Sequence, residues 1–363
     1  MTGRSWRWGA VAASVAVLAA LPSAVGALPA AHSDVSAEQL RARVRASAAV
    51  AWSGTSESRG GVALPDVQEL GDLPGLLGGT VRTRTWWRGP ADWRVDEQRL
   101  TGEQDVIVQG ARTTTWDSAD NTVERLFGEL PVRLPRAADL LAPVLGRRLA
   151  GARDAVASRL PERRVAGRSA AGLRLVPSDP AASTVASVDL WADPQTGLPL
   201  LVELRAEGQE RPVLTTLVLD LDLDVPPAAR TAFRVPRTAT VTTSEVPDLA
   251  AQIDRAVPYA LPALLAGAPR AGIGGLQEAR GVGTYGGGLA SYAVVPLPPD
   301  VAFTLLRRLS ATGGNRITTP LVNGLVDVER DRSYLLVGTV PQGQLDAALA
   351  ELRADPPPRT DGS

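Results

Sequence analysis

The chain has 363 residues, a formal net charge of −1, one histidine and no cysteine. A nearly neutral charge gives no electrostatic basis for binding nucleic acid, and the lack of cysteine excludes disulfides and thiol catalysis. All 38 basic residues are arginine, so no lysine can form a Schiff base. The single His32 stands near the N-terminus, outside any predicted element, so no His-based triad or metal site is expected. We therefore predict a protein that is not an enzyme.

The first residues have the pattern of an export signal. Arg4 lies in a short basic start, an apolar run covers residues 10–21, and small residues follow at 25–27. That order is typical of a secretory signal peptide, here over residues 1–27. An uncleaved membrane anchor is the alternative, and Pro22 and the short apolar run count against it. The prediction is an exported, extracytoplasmic protein, which leaves open a peripheral association with the outer face of the cytoplasmic membrane.

Residues 34–240 are predicted to form one large domain. Ser36 followed by Gln39 is a capping box that opens a helix. Strands separated by tight turns come next, for example at Gly89-Pro90, with the spacing of an antiparallel meander and not of βαβ units. Residues 135–160 change to a helical period before the strands resume.

The remainder of the chain has a different character. Residues 241–275 are predicted to be a linker, and residues 276–353 a small α+β domain with the order β-α-β-β-α. Residues 354–363 are predicted to be a disordered tail. The predicted fold class is therefore α+β, with a large antiparallel domain followed by a small one.

One face of the predicted large sheet is strongly apolar. In the hairpin over residues 188–204, alternate side chains share a face, and tryptophans of earlier strands join them. This face is either a sealed core or a partly open groove, because a strongly curved sheet with few helices leaves its concave face uncovered. The groove would bind a hydrophobic or acyl-chain ligand. The predicted ligand-binding residues are Trp87, Trp93, Val95, Trp116, Val188, Leu190, Leu198, Leu200, Val202, Leu217, Leu219 and Leu221.

Two stretches that look like binding motifs are not expected to bind anything. The G-x-G-x-x-G over residues 281–286 precedes a strand, whereas a dinucleotide site needs it to open a helix. Asp220, Asp222 and Asp224 alternate along a strand and lack the glycine and closing glutamate of a calcium loop. No cofactor and no metal are therefore predicted.

Several stretches carry a family resemblance. WWRGPADWRVDEQ (86–98), VIVQGARTTTWDSADNTVERL (106–126) and above all LWADPQTGLPLLVEL (190–204) resemble the LolA-like superfamily. Its fold is a strongly curved antiparallel half-barrel around an apolar cavity, with helices as a lid. TYGGGLASYAVVPL (284–297) and SYLLVGTVPQGQLDAALAEL (333–352) resemble the small C-terminal domain of the RseB/MucB group.

This resemblance implies a non-catalytic regulator. Proteins of that group bind a membrane anti-sigma factor and so regulate an extracytoplasmic sigma factor, and their large domain accepts lipid-like ligands. A soluble lipid or lipoprotein carrier is the alternative function. A cell-wall hydrolase is disfavoured, because no Asp/Glu pair stands in an apolar setting that would raise the pKa of one carboxyl.

Overall fold

The computed structural model describes most of the chain. The described residues are 30–64, 71–128, 133–246, 259–271, 280–297, 299–310, 314–328 and 332–358. The predicted signal peptide over residues 1–27 and the end of the predicted tail, residues 359–363, lie outside the described residues.

Twelve strands form one large, curved sheet that does not close. In chain order they are β1 (Trp52–Gly60), β2 (Thr80–Gly89), β3 (Asp92–Arg99), β4 (Gly102–Gln109), β5 (Arg112–Asp117), β6 (Thr122–Phe127), β7 (Ala155–Val165), β8 (Arg168–Pro177), β9 (Val185–Ala192), β10 (Pro199–Ala206), β11 (Leu214–Asp222) and β12 (Thr240–Glu245). Their order across the sheet is β12-β6-β5-β4-β3-β2-β1-β11-β10-β9-β8-β7. Neighbouring strands are antiparallel except that β12 runs parallel to β6. The predicted antiparallel meander is confirmed.

Two helices pack on the same face of this sheet. They are α1 (Ala37–Ala46) and α3 (Ala142–Ala150), and a short 3-10 helix, Ala137–Leu140, leads into α3. A third, α2 (Leu73–Gly78), lies beside β1 and β2. The face that carries α1 and α3 is called the concave face below, and the opposite one the outer face.

Side-chain hydrogen bonds fix α1 in place. Its predicted capping box is confirmed: Ser36 Oγ accepts the Gln39 N–H at 3.2 Å, and the Gln39 side chain accepts the Ser36 N–H at 3.2 Å. The Arg41 side chain donates to the carbonyls of Ala150 and Ala155, each at 2.9 Å. Arg41 therefore ties α1 to the end of α3 and to the start of β7.

A close approach between α3 and β10 seals the core beneath them. An ideal Cβ on Gly146 would lie 2.7 Å from Pro199 Cβ and 3.3 Å from Val202 Cγ2, so the helix and the strand meet where Gly146 has no side chain. Leu40 and Val44 of α1 are fully buried in the same core. The part of the concave face formed by β9 and β10 is thus covered by helices.

The turn between β9 and β10 is built by Asp193. Its Oδ1 accepts the N–H groups of Gln195 at 3.0 Å and Thr196 at 2.9 Å. Gly197 has φ +72°, and a Cβ there would lie 2.4 Å from the backbone of Arg43 in α1. The Asp-Pro-Gln-Thr-Gly-Leu-Pro motif therefore forms a tight turn that lets α1 approach the hairpin.

After β11 the chain crosses the outer face before it reaches β12. The Arg88 side chain donates to the Pro226 carbonyl, and Phe233 contacts Trp116 with ring centroids 5.9 Å apart. The short helix α4 (Ala228–Thr231) lies in this segment. The outer face of β2 to β5 is therefore covered in part by the chain itself.

The expectation that no Asp/Glu pair stands in a setting that raises a carboxyl pKa is wrong, because two buried carboxyl groups share one arginine on that outer face. Arg94 donates to Asp96 at 2.5 Å and to Asp105 at 2.6 Å, and Asp105 is fully buried. Burial first, and the charge of Asp96 second, raise the pKa of Asp105 to about 8, although Arg94 acts against this shift. Glu103 completes an acidic cluster, but Arg94 already supplies its positive charge.

A second sheet of seven strands follows. It contains β13 (Leu264–Leu265), β14 (Ala268–Ala271), β15 (Gly283–Gly287), β16 (Ala290–Leu297), β17 (Arg316–Thr318), β18 (Asn323–Val328) and β19 (Ser333–Gly338), with helices α5 (Pro299–Ser310) and α6 (Gln342–Ala354). This small α+β unit has more strands than predicted, since β15 pairs with β16 as a hairpin before α5. Parts of the predicted linker, residues 241–275, belong to β12, β13 and β14, and residues 247–258 and 272–275 lie outside the described residues.

The small unit docks on the large one through its β15–β16 turn. The Asp154 carboxylate accepts the N–H groups of Leu289 at 2.9 Å and Ala290 at 3.1 Å. Ser183 Oγ donates to the Leu289 carbonyl at 2.7 Å. Leu289 is 2% and Leu321 5% exposed, and both belong to the core cluster of the large sheet. An apolar and hydrogen-bonded contact thus joins the two units.

The segment over residues 135–160 is only partly helical. α3 ends at Ala150, and β7 begins at Ala155 and pairs with β8. Residues 151–160 contain alanines, arginines and a leucine, which favour a helix, and strand pairing overrides this local preference. Pairing with β8 decides for the strand.

We predict that Gly146→Ala lowers the free energy of unfolding by about 1–2 kcal/mol, although alanine favours a helix. The new methyl group would overlap the Pro199 ring. Gly75→Ala in α2 is the matched control, because nothing lies within 4 Å of its Cβ position, and it should be neutral or stabilising. Urea unfolding measures both, and equal effects of the two changes would contradict the close packing of α3 on β10.

We also predict that the contribution of Asp105 to stability falls as the pH rises from about 4 to about 8. The folded-state pKa of Asp105 lies above its ordinary value of 3.8, so the folded protein binds more protons in that window. Asp105 alone contributes a slope of up to about 1.4 kcal/mol per pH unit. Urea unfolding at several pH values should show a flatter profile for Asp105→Asn, whereas Asp120→Asn in an exposed turn should keep the original one. An unchanged profile in Asp105→Asn would contradict a protonated Asp105.

Candidate functional site

Five of the predicted ligand-binding side chains lie in the sealed core. Each is at most 1% exposed, and they lie in β9, in β10 and in the turn between these strands, beneath α1 and α3. The structure therefore places them in packed core rather than at an open groove. They are Val188, Leu190, Leu198, Leu200 and Val202.

Three others lie on the outer face, in contrast to the prediction of one common face. Trp116 pairs with Asp105 in the neighbouring strand and contacts Phe233 of the crossing segment. Leu217 pairs with Leu201, which points away from the helices. Leu219 is 46% exposed. These three side chains do not share a surface with the concave face.

A β-bulge explains the error in β11. The register between β1 and β11 shifts between Thr55 and Ser56, so Leu219 is left without a direct partner and the alternation resumes out of phase. Leu221 pairs with Gly54 and returns to the concave face. Strict alternation predicts Leu217, Leu219 and Leu221 on one face. Because of the bulge, Leu221 lies on the concave face, and Leu217 and Leu219 lie on the outer face.

The remaining predicted residues mark the end of the sealed core. Trp87 and Trp93 stack with ring centroids 5.5 Å apart, and Val95 is 1% exposed. The Trp87 Nε1–H donates to the Ala48 carbonyl at 2.9 Å, and the Arg147 guanidinium lies 5.3 Å from the Trp87 ring centroid. Burial lowers the pKa of Arg147. Trp87 is therefore held in the core, whereas Trp93 is only half-buried.

A cavity of about 420 Å³ lies beyond Trp93, on the concave face of β3 to β6. The turn residues Ala91, Gly110 and Gly128 line the cavity where the strands end. Arg133 and Arg136, from the segment before α3, line it as well. Its apolar wall consists of Trp93, Val106, Val108, Leu126 and Ala138.

Only Trp93 of the twelve predicted residues lines this cavity. The sequence nevertheless contained a signal for the rest of its wall. Val106 and Val108 alternate in β4 and pair with Val95 and Trp93 of β3, so extending the face of Trp93 across the next strand would have found them. Arg133 and Arg136 carried no such signal, because they reach the cavity from outside the sheet.

Asp139 hydrogen-bonds to both arginine residues that line the cavity. Arg133 donates to both oxygens of Asp139, at 2.5 and 2.9 Å, and one of these oxygens also accepts the Arg136 N–H at 2.8 Å. Burial opposes ionisation of Asp139, but these hydrogen bonds hold its pKa below the ordinary value. Burial first, and Arg133 second, lower the pKa of the Arg136 guanidinium, whereas Asp139 and Glu124 act against this shift.

Comparisons with known proteins were made for sequence and for structure. No protein-family model and no curated protein sequence matches the chain. None of the described helices has the length and apolar character needed to span a membrane.

Solved structures do match. The match to a crystal structure of MucB covers 86% of this chain and 96% of the MucB chain, at 20% identity and a TM-score of 0.43. The MucA/MucB complex of Pseudomonas aeruginosa gives the same coverage and identity with a TM-score of 0.49. A LolA superfamily protein from Nitrosomonas europaea covers 55% of this chain with 98% of its own, at 15% identity and a TM-score of 0.26. These are the groups that the sequence motifs resemble.

Proposed function

We propose that this chain is an exported, non-catalytic regulator whose large domain binds one lipid-like molecule. The observation that carries the proposal is the cavity beyond Trp93, which stands next to a sealed core on the same concave face. In the part of the chain that the structure describes, α1 and α3 cover the β9 and β10 part of this face, whereas the cavity lies beside Trp93, Val106 and Val108. The open half is the part available for a ligand.

The size and lining of the cavity fit an acyl chain. About 420 Å³ lies within the range of roughly 300–1,000 Å³ that is usual for small-molecule sites. Burying one methylene contributes about 0.8 kcal/mol, so a chain of about ten carbons has about 8 kcal/mol of driving force before ordering costs. The half-buried Trp93 offers a flat apolar surface for such a chain.

The single histidine and the buried carboxyl pair lie away from the cavity, which supports a role without catalysis. The side chain of His32 is 78% exposed and lies within 3.4 Å of Asp34 and Glu162 at the surface. The buried Asp96 and Asp105 share Arg94 on the outer face, away from the cavity. None of these groups is placed to act on a molecule held beside Trp93.

The proposed partner is a membrane anti-sigma factor, because the sequence resembles the RseB/MucB group. A ligand changes partner affinity only by its differential affinity for the free and partner-bound states. The contact of Asp154 with Leu289 joins the ligand-binding sheet to the small unit, and it is the element through which such a difference could act.

A soluble carrier of lipids or lipoproteins is the second candidate function. The same cavity supports a carrier. The turn residues Gly110 and Ala111 form part of its wall, so the cavity reaches the end of the sheet, where a ligand would enter and leave. A regulator needs a persistent protein partner and a carrier does not. Co-purification of a membrane protein in stoichiometric amounts from the native host would favour regulation.

We predict that Val108→Arg reduces binding of 1-decanol at least tenfold, because it places a charge in the apolar wall. Leu219→Arg is the matched control, since Leu219 is exposed on the outer face, and its affinity should be that of the unchanged protein. Calorimetric titration below the solubility limit of the alcohol measures both.

Thr113→Trp tests the same site without adding a charge. Thr113 also lines the cavity, so the larger side chain should fill the space and reduce decanol binding in a folded protein. Full binding by both cavity variants, or equal loss in Leu219→Arg, would contradict the proposed ligand site.

A further inference from the structure

We infer that the ligand of this cavity is an anionic amphiphile and that the Arg136 guanidinium binds its head group. This inference rests on the proposed function, because it specifies the chemistry of the molecule held beside Trp93. The head group in question is a carboxylate or a phosphate, which present the same paired acceptor oxygens to a guanidinium.

First, the Asp139 carboxylate faces the guanidinium of Arg133 and not that of Arg136. Two arginines, Arg133 and Arg136, line the cavity, and among the described residues Asp139 hydrogen-bonds to both. Both oxygens of Asp139 accept hydrogen bonds from Arg133, and one also accepts the Arg136 backbone N–H. The Asp139 carboxylate therefore pairs with the Arg133 guanidinium, and its bond to Arg136 goes to the backbone N–H and not to the guanidinium.

The second argument is the state of Arg136 itself. Among the described residues, no carboxylate lies within the 4.0 Å ion-pair distance of its guanidinium. Glu124 on β6 is the other acidic group that acts on it from a distance, and its side chain is exposed. Burial lowers the pKa of Arg136, which means that the cation has lost part of its hydration. A bound anion would restore those hydrogen bonds.

The third argument is that the arginine is held in position. Its backbone N–H is fixed by Asp139 at 2.8 Å, and Ala138, two residues later, is part of the cavity wall. The 3-10 helix Ala137–Leu140 is anchored by the buried Ala137 and Leu140. The guanidinium therefore starts from a rigid segment at one side of an apolar wall, as recognition of a head group requires.

Together these features describe a site for two kinds of chemistry at once. The apolar wall around Trp93, Val108 and Leu126 takes a tail, and Arg136 takes a head group. A neutral lipid would cover the half-buried guanidinium without offering it a paired acceptor, which disfavours a neutral ligand. An anionic amphiphile satisfies both parts of the site.

The test compares decanoate, decyl phosphate and 1-decanol by calorimetric titration, each below the concentration at which it aggregates. The unchanged protein should bind at least one of the two anions at least tenfold more tightly than decanol. Arg136→Gln should lose this preference and keep the affinity for decanol, and Arg136→Lys should retain part of it. Arg84→Gln, which removes an exposed charge from the outer face, should keep the preference.

The outcomes separate this inference from the proposed function. Preference for decanoate alone identifies a fatty acid type of ligand, and preference for decyl phosphate alone a phosphorylated lipid, and both support the inference. Equal binding of anions and decanol by the unchanged protein, or a preference that survives in Arg136→Gln, would overturn it while the lipid site stands. Failure of all three probes to bind would overturn the proposed function itself.

Discussion

The contact between α3 and β10 is the constraint on which the rest of the structure depends. Gly146 lets the helix approach Pro199 and Val202 so closely that the hairpin of β9 and β10 becomes packed core. Across the described part of the sheet, the packed core extends from β9 and β10 as far as Trp87 and Val95. The concave face beyond that point can be stabilised by a ligand instead of by the chain's own side chains.

The open half of the face differs from the covered half in charge as well as in packing. The covered half holds aliphatic side chains and Arg147, whose guanidinium lies over Trp87. The open half holds an apolar wall with Arg136 beside it. The same segment that supplies α3 also supplies Arg136, so one stretch of chain both seals the core and forms the polar side of the cavity. The ligand site and the stability of the domain are therefore linked through residues 133–150.

Sequence patterns predicted the parts of the fold that depend on local chemistry. The capping box of Ser36 and Gln39 and the tight turn after Asp193 form as expected, because each is decided within a few residues. The position of the cavity could not be predicted, since it depends on where α3 ends its cover of the sheet. The placement of Leu219 failed because a bulge, which alternation cannot reveal, changes which face a side chain occupies.

The most direct test of the central claim is to locate a bound chain on the sheet. A decanoate with a diazirine near its tail end would be bound to the protein, and the complex would be irradiated. The protein would then be cleaved at arginine, and the cross-linked peptides would be identified by mass spectrometry. Labelling within residues 90–113, with loss of the label when decanoate is added in excess, is the result that the open-cavity account predicts. Competable labelling confined to residues 185–206 would contradict it, because the ligand would then occupy the region beneath α1 and α3 that is packed as core.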